Sequence, residues 1–228
     1  MENEKPFEYQ SKGGLERITS FSDAVMAIAI TLLVIEMIIP SVNPDLLISE
    51  LSNLIPEFFS HIVSFFIIGS YWIAHYGIFK YITKYDNNLL WLNLLFLFFV
   101  SFIPFPSALL GEYTSVQLII IIYSSNIALL GFSLWLLWFY ASRNFRLISK
   151  DVNPRIIKNV KNYNMIGPLG FLISIPFTFI SIFAAVIIWW ITPIIGVIYR
   201  RISQKKEKKI NSKNDMRIKT DENEKYKY

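Results

Sequence analysis

The apolar residues of this chain come in long, saturated runs, without the period of 2 or 3.6 that marks a half-buried strand or helix. Runs of about 20 residues are what an α-helix needs to cross a hydrocarbon core of roughly 30 Å. The pattern predicts membrane spans at 18–39, 57–80, 88–110, 116–141, 160–176 and 178–199. The last two are cut from one apolar stretch, 165–199, interrupted by Pro168, Pro176 and Pro193. As a single helix that stretch would measure about 50 Å at a rise of ~1.5 Å per residue, too long for one span. A break near Pro176 yields two short helices joined by a tight outer turn.

The polar exceptions inside the runs carry the chemistry. The first span opens on Arg17 and a Phe21-Ser22-Asp23 cluster. A carboxylate at the mouth of a membrane span costs a few kcal/mol on insertion scales, so it calls for a partner. Ser20, Ser22 and Asp23 have an alternative use as caps for free backbone N–H groups. Depth favours a cluster. Asp23 lies six residues from Arg17, about 9 Å along a helix. In the second span, His75 lies five residues before Lys80, and Trp72 three residues further in. The second span runs in the opposite direction, so Trp72 and His75 reach a depth close to that of Asp23, on one helical face. Ser22, Asp23, Trp72 and His75 are therefore expected to form a polar network between the first two spans, closed from below by Arg17.

Deeper in the first span, Ile28, Thr31, Leu32 and Ile35 fall at i, i+3, i+4 and i+7, one helical stripe. Nearly every neighbour is apolar too, so periodicity leaves lipid, protein and pore all open for that stripe. Thr31 prefers water or a neighbour to lipid, although its hydroxyl can bond back to a carbonyl one turn earlier. Ala24, Ala27 and Ala29 permit close helix approach, and Glu36 sits towards the outer end.

Composition agrees with a membrane protein: 54% of residues are hydrophobic and 16% aromatic, with a mean hydropathy of +0.43. The N-terminus has the polar, acidic character of a segment that is not a cleaved signal peptide. Charge placement sets the topology. Lys5, Lys12 and Arg17 precede the first span, Lys80 and Lys84 follow the second, and six basic residues from Arg143 to Lys161 separate the fourth from the fifth. The other eleven lie from residue 200 on, whereas the connections 40–56 and 111–115 carry only Asp45, Glu50 and Glu112, with Glu57 starting the second span. By the positive-inside rule both termini are cytoplasmic, which requires an even number of spans. The expected layout is a cytoplasmic segment at 1–16, a six-helix domain at 17–200 and a basic cytoplasmic tail at 201–228, disordered or frayed. The net charge of +5 reflects this topology and not nucleic-acid binding. Cysteine is absent and only His61 and His75 represent histidine, which argues against a metal centre. Walker, HExxH, GxSxG and GYG patterns and an arginine ladder are all missing, so no enzyme chemistry is expected and no cofactor.

Arg17-x-x-x-Phe21-Ser22-Asp23, followed by AVMAIAITLLVIEMIIP, closely resembles the first helix of the transmembrane protein 175 family of potassium channels, and Trp72-x-x-His75 fits that family as well. The resemblance implies an all-α polytopic membrane protein with six transmembrane helices per subunit. Chains with one six-helix repeat are, in that family, prokaryotic plasma-membrane proteins that assemble as homotetramers around a central pore lined by helix one. It further implies a pore constriction at Ile28, with Leu32 and Ile35 also facing the pore, a selectivity role for Thr31, and a supporting polar network of Arg17, Ser22, Asp23, Trp72 and His75. The permeant ion would be potassium, with the lipid bilayer and other monovalent cations as further partners. The rival reading is a secondary transporter or proton-coupled permease using Asp23 and His75 as a proton relay. A non-conducting scaffold is a third.

Overall fold

The computed structural model describes residues 12–35, 37, 43–113 and 115–225. Its elements are helices: α1 (Lys12–Ile35), short α2 (Leu47–Asn53), α3 (Ile55–Phe79), α4 (Asn87–Phe102), α5 (Pro104–Glu112), α6 (Gln117–Ser142), α7 (Pro154–Phe177) and α8 (Ile182–Lys225), with 3-10 turns at Pro44–Leu46 and Arg143–Phe145. Helices follow from the solvent as much as from propensity. In a bilayer the backbone N–H and C=O groups of a lone segment find partners only within a helix.

Five stretches of the described residues are long and apolar enough to cross a membrane: Gly13–Ile35, Ile55–Phe79, Asn87–Glu112, Gln117–Phe145 and Ile182–Ser203. The chain is thus an all-helical, multi-pass membrane protein. The predicted span 160–176 corresponds to α7, whose 24 residues begin at Pro154, earlier than expected. Asn153 starts it by accepting a hydrogen bond from the Arg155 N–H at 2.9 Å, and Pro154 occupies the first turn, where a missing N–H costs nothing. Lys161, Asn162 and Asn164 lower the hydropathy of even its most apolar stretch, so it stands apart from the five. Glu36 and the end of the predicted span 18–39 lie outside the described residues, apart from Met37.

Prolines set the breaks. The predicted span 88–110 is two helices, α4 and α5, divided at Ile103. Pro104 brings no N–H, and Ile103 takes a tighter bond to the Val100 carbonyl, 3.1 Å away. The chain turns between α7 and α8 over Thr178–Ser181, directly after Pro176. Bonds from Thr178 N–H to Ile175 and from Ser181 N–H to Phe177 satisfy the last carbonyls. Pro168 and Pro193 are absorbed within α7 and α8.

α6 is the hub, packed against α4, α5 and α7, while α8 lies mainly on α7. On the other side α1 rests on α3 and α4. Tyr123, Ile127, Leu134 and Trp138 of α6 form the centre of the core with Ile68, Leu89, Phe96 and Ile103. Gly131 lets α3, α6 and α7 converge: a Cβ there would stand 2.5 Å from Tyr71 Oη and 2.7 Å from Pro168 Cδ.

A polar staple closes the basic end of the bundle. Buried Asp86 caps α4 by accepting from the Leu89 N–H at 2.9 Å. Its other oxygen accepts from Tyr140 Oη at 2.6 Å and from Arg146 at 3.4 Å. Asn144 and Phe145, both at positive φ, reverse the chain so that the Leu147 carbonyl meets the N–H groups of Thr83 and Lys84 at 2.9 and 3.2 Å. The loops after α3 and α6 are thereby tied together.

Candidate functional site

One face of α1 is buried and the other is open. Ile18, Ser22, Met26, Ala29 and Leu33 recur at helical spacing and pack into the bundle. Opposite them, Ile28 is 58% exposed, Leu32 38% and Ile35 70%, with Phe21, Ala24 and Thr31 along the same stripe. The Thr31 hydroxyl donates to the Ile28 carbonyl at 2.9 Å, within its own helix.

The polar residues expected around Asp23 divide into two separate chains of hydrogen bonds. Near the surface of the subunit, the Trp72 indole N–H donates to Asp23 Oδ1 at 2.8 Å, joining α3 to α1. Both side chains are exposed, and Trp72 stacks on Tyr76. In the interior, Asn93 of α4 donates from Nδ2 to Ser22 Oγ at 2.9 Å, and Ser22 donates onward to the Ile18 carbonyl at 2.9 Å. Asn93 Oδ1 accepts from His75 Nε2 at 2.9 Å. A carbonyl oxygen only accepts, so these bonds assign the His75 proton to Nε2. The His75 ring, 1% exposed, lies between Phe79 and Phe96, with centroids 4.3 and 5.2 Å away.

His75 is therefore held by Asn93 and not by Asp23, and one amide links α1, α3 and α4. Arg17 is exposed and forms no hydrogen bond with a described residue. Sequence reasoning missed Asn93, although a signal existed. It is a lone amide inside the apolar run LLWLNLLFLFFV, where a buried amide calls for partners on neighbouring helices. His61 lies away from this network with its Nδ1 unpaired, and no group of three His, Asp or Glu able to hold a metal occurs among the described residues.

The fold and this arrangement define a multi-pass helical membrane protein whose first helix is pinned from behind by buried polar bonds and leaves an apolar face free. Comparison with known proteins narrows the class. The family model described as "Endosomal/lysosomal potassium channel TMEM175" matches residues 17–104, which hold Arg17, Ser22, Asp23, Trp72, His75 and Asn93. A potassium channel of Streptomyces collinus is 31% identical over 170 residues, covering 72% of this chain and 82% of its own. A potassium channel of Chamaesiphon minutus is 32% identical over 183 residues, covering 78% and 89%. The crystal structure of a homologue of the lysosomal potassium-selective channel TMEM175, also from Chamaesiphon minutus, aligns with a TM-score of 0.71 at 27% identity, covering 84% of this chain and 99% of that one. The chain belongs to the TMEM175 family.

Proposed function

We propose that this chain is the subunit of a homotetrameric, potassium-permeable channel that conducts passively. The observation that carries the reading is the open stripe of Ile28, Thr31, Leu32 and Ile35 on a helix whose opposite face is locked into the subunit. Four such stripes around a common axis would stack apolar rings. A narrow apolar ring stays dry and blocks ions, and slight dilation lets water and ions through. The narrowest ring is assigned to Ile28. Selectivity would then come from pore width and the Thr31 hydroxyls, in place of a carbonyl filter. The potassium channels of Streptomyces collinus and Chamaesiphon minutus support this choice of ion.

Ser22, Asp23, Trp72 and His75, together with Asn93, are the support that keeps α1 at a set tilt while its face is loaded. In this scheme α7 supplies the sixth crossing, the domain runs from 17 to 200, and residues 1–16 and 201–228 lie in the cytoplasm of a prokaryotic cell. The acidic Asp45, Glu50, Glu57 and Glu112 then gather cations at the outer mouth. A proton relay needs Asp23 and His75 on one chain of hydrogen bonds, but Asp23 is bonded to Trp72 and His75 to Asn93.

The test is reconstitution of the purified chain in liposomes under a set voltage. Potassium flux at channel rates, without saturation or coupling to a second gradient, is expected. Saturable, gradient-coupled uptake would establish the transporter instead, and absence of flux the scaffold.

A further inference from the structure

Away from α1, a groove of about 340 Å³ opens between α3 on one side and α7 and α8 on the other. That volume is within the range of small-molecule sites. Its walls are apolar, with Ile62, Phe66 and Phe171 prominent. The other buried polar groups of its lining already have partners, Trp189 Nε1 with Ser174 Oγ at 3.0 Å among them. Ser70 donates to the Phe66 carbonyl at 2.7 Å, and Thr192 to the Ile188 carbonyl at 2.7 Å. Asn164 of α7 is the exception. It lines the groove, is only 8% exposed, and its buried Nδ2 has no hydrogen-bond partner among the described residues. A buried amide without a partner carries a penalty of about 1–3 kcal/mol, so its retention in an apolar wall points to an occupant.

The groove has a basic mouth. Tyr163, beside Asn164, forms part of its lining, and the Arg200 guanidinium lies over the Tyr163 ring at 4.5 Å. Gly196, one turn before Arg200, lies beside the Tyr163 ring. Going inward from this rim the order is cation, amide, then hydrocarbon. That order matches a lipid with an anionic phosphate, an ester carbonyl and an acyl chain. The Asn164 amide carries both a donor and an acceptor, and a half-turn about its last torsion exchanges the two. Arg200 keeps donors free while it stacks, because the guanidinium plane and its edge bind different things.

We propose that this groove binds one anionic glycerophospholipid of the leaflet at the basic end of the bundle. Asn164 donates to an ester carbonyl, Arg200 pairs with the phosphate, and an acyl chain runs along Phe66 and Ile62. The site depends on the chain being a membrane protein and is independent of whether the chain conducts.

The experiment uses the full chain in detergent, with phosphatidylglycerol and phosphatidylcholine offered at equal concentration. Bound lipid is read by native mass spectrometry and thermal unfolding is followed alongside. Wild-type protein is expected to retain phosphatidylglycerol preferentially and to gain thermal stability from it. Asn164→Leu, close to isosteric, should lower retention of both lipids about five-fold, the loss of one hydrogen bond. Arg200→Gln should erase the preference between them while the protein folds normally, so the proposal stays testable should the leucine variant fail to fold. Equal retention of the two lipids by wild type, or undiminished retention by Asn164→Leu, would overturn the site. A groove filled by water, detergent or a neighbouring copy gives the same overturning result. Potassium flux is a separate readout, and its absence leaves this outcome unaffected.

Discussion

Replacing Asn93 by leucine removes the side chain that bridges α1, α3 and α4 while nearly conserving volume. The His75 Nε2–H loses its acceptor at 2.9 Å, and Ser22 Oγ loses a donor at 2.9 Å. The two losses are unequal. Ser22 still donates to the Ile18 carbonyl and is left only with a spare lone pair. His75, 1% exposed and enclosed by Phe79 and Phe96, has no other partner for its proton among the described residues. An orphaned buried donor costs about 1–3 kcal/mol, whereas interhelical hydrogen bonds in membrane proteins average about 0.6 kcal/mol. Together these place the loss near 2 kcal/mol, most of it at His75. For a chain of this length that is a fall in melting temperature of roughly 4–8 °C. Thermal unfolding in a fixed detergent measures it. A second variant, Asn93→Leu with His75→Leu, removes donor and acceptor together and should recover part of the loss. An unchanged melting temperature in the single variant, or a double variant as unstable as the sum of its parts, would refute the assignment of the proton to Nε2 and the bridging role of Asn93.

Ile28→Asn should wet the constriction and raise single-channel current with a change in ion selectivity; unaltered current and selectivity would remove Ile28 from the pore. Asp23→Ala deletes the 2.8 Å bond from Trp72, and since both groups are exposed the subunit should lose only about 1 kcal/mol, with the larger effect on the tetramer fraction in size-exclusion chromatography. Asp86→Ala takes away the α4 cap and leaves Tyr140 without an acceptor, a loss of about 2–3 kcal/mol in denaturation, and Asp86→Asn should restore the cap alone. Gly131→Ala forces a methyl against Tyr71 and Pro168 and should destabilise by about 1–3 kcal/mol, whereas Ala at Gly69, which faces open space, should be neutral or slightly stabilising.

Hydropathy and proline placement suffice to read five membrane-length helices and the break after Pro176 directly from the chain, because both act locally: a run is long enough or it is not, and a proline lacks its N–H wherever it falls. The motif around Asp23 was equally legible, and with it the family. Orientation was not. When nearly every position of a helix is apolar, no stripe marks the side that packs, so nothing in residues 18–35 distinguishes the Met26 face from the Ile28 face. Only contact with α3 and α4 separates them. Depth counting addressed Asp23, Trp72 and His75 together, but hydrogen bonds also require direction. The imidazole points at a third helix, so its partner, Asn93, lies 18 residues away on α4, and Asp23 is left to Trp72. The Asp86 staple and the groove at Asn164 belong to the same class. Each is assembled from segments distant along the chain, and such meetings arise from how the helices pack.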